Sequence, residues 1–399
     1  MRKIYYIIAL LLVIFGLFSV YIYIPKEDNF AKGADEGHYL AYSKYLSENG
    51  ITNYPKIFKE HVEIEKNRIW PSPLRFGYFL LSSLWLKIFG PTFRSLANLS
   101  FICYVFLLLF SLYFSNRYFG KEIASLFVLL LAFSPLAMAM AKRALSDSMG
   151  NMFIAISIWL FLSFLTEKKI FNFILFIVFY AFSILIREQY ILFICFFSLY
   201  FLIYKYIYKV NIPTIYFPAI ILLPLFIVGL IWVISSGSLA NLIYMIKLTR
   251  VLPTINEYSV LFCRGPWFRY MIDYILISPL VTILALSFII YVLANRSFLK
   301  DYKISYFLIL FFVLYILLSI FDYNKNVRYA INLDMIMRLF AVFMLKEIFK
   351  KSKFMSDFVF MAILFLCLTD YLNFTYLFCQ KNIYDPVSFV LLKVRQFIP

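Results

Sequence analysis

The chain has 399 residues, of which 64% are hydrophobic and only 15% charged, and its mean hydropathy is +0.86. Soluble domains sit at roughly 45–50% apolar and about 25% charged, so a water-soluble globule is excluded and much of the apolar surface must face lipid. The 38 Lys and Arg exceed the 21 Asp and Glu, giving a net charge of +17. Whether that excess serves nucleic acid, anionic headgroups or a phosphorylated substrate depends on where it lies along the chain.

Met1-Arg2-Lys3 and the apolar run over residues 4–24 begin as a secretion signal does. The run is too long for one and no small-residue cleavage site follows, so it reads as an uncleaved first transmembrane helix. Further apolar stretches fall at 96–114, 123–140, 149–165, 170–186, 190–208, 212–234, 271–293, 304–320, 330–345 and 354–373. Together they predict an all-α, polytopic integral membrane protein of about eleven transmembrane helices. The tenth stretch carries Asn332, Asp334 and Arg338; the last two are four apart on one helix face, which predicts an ion pair internal to that helix. The five cysteines, Cys103, Cys195, Cys263, Cys367 and Cys379, include no C-x-x-C pair and have no His at zinc-ligand spacing, so packing is their expected role.

Arg2-Lys3, Arg117/Lys121, Lys168-Lys169, Lys205/Lys209, Arg296/Lys300/Lys303 and Lys346/Lys350/Lys351/Lys353 fall in alternate short connections. That bias predicts a cytoplasmic N-terminus and a C-terminus on the other side. Residues 1–399 read as a single transmembrane domain with no soluble domain at either end. Its two distinctive non-cytoplasmic segments are a long first loop, 25–95, and a late loop, 235–270. Within the first, residues 35–49 have helical periodicity and stop at Gly50, so the loop is expected to be partly helical. Pro71-Ser72-Pro73-Leu74 then leads into an apolar stretch, 78–89, closed by Gly90-Pro91. Twelve residues cannot span, which predicts an interfacial or re-entrant helix.

Five polar clusters then share the non-cytoplasmic side. They are Asp35-Glu36 with His38, Lys142-Arg143 with Ser146-Asp147, Arg187-Glu188-Gln189, the 235–270 loop with Lys247, Arg250, Arg264 and Arg269, and residues 322–329 with Arg328. Charges at the ends of apolar helices need water or partners, so their gathering on one face predicts a polar cavity at that membrane surface. Ordinary interfacial anchoring is the competing explanation for any single Lys or Arg.

Asp35-Glu36-Gly37-His38-Tyr39, the Pro-Ser-Pro-Leu run before a short helix ending in Phe89-Gly90, Ser146-Asp147, Arg187-Glu188-Gln189 and Arg328-Tyr329 occur in that order along the chain. As a set they resemble the polyprenyl-phosphate-sugar-dependent glycosyltransferases of the GT-C superfold, most closely the protein O-mannosyltransferase and aminoarabinose transferase branch. The resemblance covers residues 1–345 in order and orientation. Two departures, Ser72 where the family's proline pair would place a second Pro and the lack of the soluble C-terminal domain that members often carry, leave the acceptor class open.

The resemblance implies an enzyme that moves a sugar, with inversion, from a polyprenyl-phosphate donor to a hydroxyl of a glycan, lipid or protein acceptor on the non-cytoplasmic face. Asp35 is the family-matched base for the acceptor hydroxyl; Glu36, paired with it in the motif, points about 100° away on a helix and caps or binds acceptor. Arg187 and Arg328 are the first candidates to meet the charge of the departing phosphate, with Arg75 and Arg143 behind them. Glu188 is expected to orient Arg187. Asp147 is a second acid near the donor sugar or a metal, or else a helix cap. No cofactor is certain; a divalent cation would find candidate ligands in Asp35 and His38. Membrane lipids are expected partners and nucleic acid is not, and the expected location is the cell (inner) membrane of a bacterium or archaeon. Two other classes compete. An O-antigen polymerase or ligase using diphosphate-linked glycan would rely on a large late outside loop, and a lipid-linked oligosaccharide flippase or transporter would spread charge through the midplane in repeated halves.

Overall fold

The computed structural model describes residues 2–32, 34–64, 71–255, 257–320 and 325–395, and among these no strand occurs. In chain order the first helices are α1 (Lys3–Ile22), α2 (Asp35–Asn49), α3 (Tyr54–Glu63), α4 (Phe76–Phe89), α5 (Phe93–Phe119), α6 (Lys121–Ala132) and α7 (Pro135–Ala141). There follow α8 (Asp147–Glu167), α9 (Ile170–Ile186), α10 (Phe193–Leu202), α11 (Tyr216–Ser236), α12 (Leu239–Ile255) and α13 (Glu257–Phe262). The last six are α14 (Arg269–Ile277), α15 (Pro279–Ala294), α16 (Tyr302–Ile320), α17 (Ile331–Ile348), α18 (Met355–Asn373) and α19 (Pro386–Arg395).

Among the described residues, seven helical runs are long and apolar enough to cross a membrane, or eight if α6 and α7, bent by 61° at their junction, form one span. Eleven were expected, and the difference has local causes. The α9 helix is 17 residues long, slightly short of a full crossing. The α17 helix has the length but carries Asp334, Arg338, Lys346 and Glu347. The stretch at 271–293 divides at Ser278-Pro279, and the stretch at 123–140 at Ser134-Pro135. Proline lacks the N–H that a continuing helix would use and pushes the residue before it out of helical geometry. Ser278 accordingly lies at φ −145°, ψ 69°, while the Ser134 hydroxyl accepts from the Ala137 amide at 3.0 Å and starts α7 afresh.

Two compact units interleave along the chain, one of Met1–Tyr23, Tyr104–Met140 and Phe262–Pro399, the other of Ile24–Cys103 and Ala141–Leu261. In the first unit, α6 packs against α1, α17 and α18, and α15 packs against α14 and α17. The predicted pair Asp334–Arg338 forms at 2.9 Å, but Arg338 also holds Asp370 of α18 and the Leu130 carbonyl of α6, each at 2.8 Å. Ser134 donates to Asp334 at 2.5 Å and Ser278 to Asp370 at 2.6 Å, so the serines at both proline breaks feed one buried polar network. A carbonyl in the last turn of a helix lacks an intrahelical partner, and Arg338 supplies one where α6 stops.

In the second unit, α8 is apolar on nearly every face and packs against α9, which also meets α4 and α11. The α2 helix lies on α4 and ends at Gly50 as expected. That packing brings the N-terminal end of α2, the proline run before α4, the start of α8 and the end of α9 into one cluster.

Candidate functional site

Asp35 is the first residue of α2, half-exposed, where the aligned peptide dipoles favour a negative charge. Glu36 turns the other way and is 1% exposed. Its Oε2 accepts from the Ala31 amide at 3.0 Å, and its Oε1 accepts from the Ala144 amide at 3.1 Å and from Arg143 Nε. Residues 31–32 can fold back over α2 because residue 37 is glycine: a Cβ there would sit 1.9 Å from the Lys32 carbonyl oxygen. Glu36, expected beside Asp35 as a catalytic group, is therefore a buried carboxylate committed to three N–H donors, and it ties α2 to the 143–144 segment.

One turn on, Tyr39 is buried at the centre of the cluster. Its hydroxyl accepts from Arg75 Nη1 and shares a 2.8 Å hydrogen bond with Ser146 Oγ, and its ring meets Tyr78 edge-on at 4.7 Å. Burial pushes the Tyr39 phenol above its usual range; Arg75 and Arg187 pull it down, and Asp35 and Asp147 add to the rise. It stays neutral and serves as a hydrogen-bond relay between charged groups.

Arg75 follows the proline run. That run is anchored by Tyr54, whose hydroxyl donates to the Pro73 carbonyl at 2.6 Å, and by Trp232, whose indole donates to the Leu74 carbonyl at 2.8 Å. From there Arg75 grips Glu188 through Nε and Nη2 at 3.0 and 3.1 Å, a two-pronged geometry that fixes the guanidinium plane. Glu188, expected to orient Arg187, thus bonds Arg75 instead. Arg187 pairs with Asp147, and each side chain is 2% exposed. Gly150, one turn past Asp147, makes room for that pair, because a Cβ there would lie 2.9 Å from the Tyr190 ring and 3.0 Å from Arg187 Cδ. Asp147 occupies the first turn of α8, so it sits where a helix favours an acid as well as against Arg187.

Exposure separates the three arginines. Arg75 and Arg143 keep 13% and 16% of their side chains accessible, whereas Arg187 is sealed in. Arg328 belongs to the first unit, lies over the Tyr329 ring at 5.5 Å, and is half-exposed just before α17. Residues 322–324 of its cluster lie outside the described residues. Of the late-loop cations, Arg269 is buried in the first unit against Asp385 at 3.3 Å and Ser388 at 2.8 Å.

Burial pushes the half-buried His38 below its ordinary pKa, opposed by Asp35 one turn away. Among the described residues, no group of three or more His, Cys, Asp or Glu is placed to hold a metal ion. Asp35 with His38 supplies two candidate ligands, fewer than the three or four protein ligands of a zinc site.

Sequence reading missed Tyr39, the Arg75–Glu188 pair and Gly150. Tyr39 lies at helical spacing from Asp35 and Glu36, and Gly150 lies one turn from Asp147 on α8; both were visible signals. Arg75 and Glu188 are 113 positions apart and nothing local links them.

Residues 73–232 match the family described as dolichyl-phosphate-mannose-protein mannosyltransferase. The matched segment begins and ends beside the Trp232–Leu74 hydrogen bond and contains Arg75, Arg143, Asp147, Arg187 and Glu188. The fold is similar to that of ArnT from Cupriavidus metallidurans in the apo state, with a TM-score of 0.59 and 13% identity over 92% of this chain and 75% of that one. The fold of this chain is of the GT-C type. The same GT-C fold is shared with the Archaeoglobus fulgidus oligosaccharyltransferase tethered with an acceptor peptide containing the NVT sequon, at a TM-score of 0.61 and 13% identity over 92% of this chain and 54% of that one. A second structure of that enzyme, in complex with Zn and sulfate, matches 76% of this chain and 44% of its own with a TM-score of 0.54 and 13% identity. The chain thus spans about half the length of the oligosaccharyltransferase it matches. No curated protein matches the sequence.

Proposed function

We propose that this GT-C chain is a glycosyltransferase that moves one sugar from a polyprenyl-phosphate donor to an acceptor hydroxyl on the non-cytoplasmic face, with inversion. The observation that carries the reading is the division of labour around α2. A half-exposed Asp35 stands at the helix start, beside two part-exposed arginines whose planes are held by Glu36 and Glu188. In this reading Asp35 takes the proton as the acceptor oxygen attacks the anomeric carbon. The bond from that carbon to the phosphate oxygen breaks, and its electron pair leaves with the phosphate. Arg75 and Arg143 meet the charge that develops there; being pre-oriented by their carboxylates, they need little reorganisation during the step. Arg187 acts at one remove, by fixing Asp147 and the start of α8. The concentration of Lys and Arg in the short loops supports a cytoplasmic N-terminus and an active face on the opposite side of a cell membrane.

The test is a mass-spectrometric comparison of surface glycans, glycolipids and glycoproteins in cells with the gene, without it, and complemented by Asp35→Asn. Deletion should remove one sugar unit. The Asp35→Asn protein should reach the membrane in normal amount yet fail to restore that sugar, because losing a general base lowers rates by about 10²–10⁴-fold. Full restoration by the variant would remove Asp35 from the base role.

A further inference from the structure

A cavity of about 330 Å³ opens in the first unit, among residues that the site above does not use. That volume is at the lower end of the roughly 300–1,000 Å³ typical of ligand pockets. Phe119, Phe288, Phe298 and Phe343 form much of its wall. Lys303 and Lys346 also line it, with Asp301 and Glu347 beside them.

These residues come from the α5–α6 turn with the start of α6, from α15, from residues 298–304 that lead into α16, and from the end of α17. The turns are pinned together: Lys303 Nζ donates to the Tyr118 carbonyl at 3.0 Å, and Lys346 reaches Glu122 at 3.4 Å. The two acids have local duties. Asp301 accepts from the Lys303 amide at 2.9 Å, and Glu347 accepts from the Tyr291 hydroxyl at 3.1 Å and pairs with Lys350 at 3.4 Å. An ammonium has three donors, so one contact does not exhaust either lysine. The same segments also carry Arg117, Lys121, Arg296, Lys300 and Lys350 against the one further acid Glu122, which leaves them net basic.

We infer that this cavity binds a membrane phospholipid with an anionic phosphate headgroup, its acyl chain among the phenylalanines and its phosphate on Lys303 and Lys346. An apolar wall of four aromatic rings disfavours a small soluble anion, and the basic surplus disfavours a zwitterionic head. The ligand is therefore both charged and chain-bearing, and it adds to the polar contacts and the Phe119–Phe343 ring pair at 5.2 Å that already join these segments. This site is independent of the proposed transferase reaction.

The test is native mass spectrometry of the full-length protein in detergent, titrated with phosphatidylglycerol, phosphatidylcholine and inorganic phosphate. Phosphatidylglycerol should bind about thirtyfold more tightly than phosphatidylcholine, the effect expected of two lysines meeting an anionic lipid surface. Lys303→Gln, which gives up the Tyr118 carbonyl contact and a place over the Tyr302 ring at 5.8 Å, should lose much of that preference, and the double variant Lys303→Gln/Lys346→Gln nearly all of it. Lys168→Gln/Lys169→Gln, an equal change of charge in the other unit, should leave it intact. Equal binding of the two lipids, an unchanged preference in the double variant, or displacement of phosphatidylglycerol by an equal concentration of inorganic phosphate would each overturn the assignment.

Discussion

In the first unit Arg338 is 0% exposed and lies between Asp334 and Asp370 at 2.9 and 2.8 Å, with serines completing both carboxylates. In the second unit Arg75 and Arg143 face Glu188 and Glu36 with the same kind of geometry, but with 13% and 16% of each guanidinium side chain open. Residue types and pair distances barely distinguish the two clusters; access to solvent does. A sealed ionic network inside a membrane protein has no partner to exchange for a ligand, so it can only hold helices in place. An arginine that is held by a carboxylate and still part-exposed can meet an incoming phosphate, and its carboxylate fixes the direction from which it does so.

The sharpest way to break this contrast is Arg338→Met. It leaves two buried carboxylates without their cation, which should destabilise the protein by about 3–5 kcal/mol. Thermal unfolding in detergent would show it as a large drop in midpoint, and adding Asp334→Asn and Asp370→Asn should recover much of the loss. A midpoint unchanged by Arg338→Met would mean that the network does not hold the helices.

Arg75→Gln should behave in the opposite way. The midpoint should shift little, while kcat/KM for the lipid-linked donor falls by about 2 kcal/mol, or roughly thirtyfold, as a charge-assisted contact is lost. A loss of stability without a change in donor KM would place Arg75 with the structural group. The smallest effect is expected at His38, whose folded pKa lies below the ordinary 6.5 because of burial. Above that value both states are neutral and stability is unaffected. As pH falls through 6.5 the unfolded chain takes up the proton first, so stability declines until the folded pKa is reached. His38→Gln should flatten that part of a Tm-against-pH curve.

Much of the architecture was legible in local sequence. Residues 170–186 and 35–49 form helices with the bounds their apolar runs and Gly50 imply. The pair Asp334–Arg338, four apart, formed as spacing dictates. The breaks at Pro135 and Pro279 were also visible as single residues, but a hydropathy window averages over some twenty positions and is nearly blind to one proline. The candidate site was legible only as a set of polar clusters. Asp35 and Glu36 are neighbours of equal chemistry, and no local rule says which one is buried. Glu36 is claimed by Arg143, 107 positions away, and by a loop that passes over Gly37.

The sequence by itself determined the membrane-embedded, all-helical class and the positions of most helices. Each of these is a sum over adjacent residues, and transfer from water to lipid is additive along a helix. Tertiary structure alone decided which carboxylates are engaged and which arginines stay open, because burial and pairing depend on segments more than a hundred residues apart meeting at one helix end.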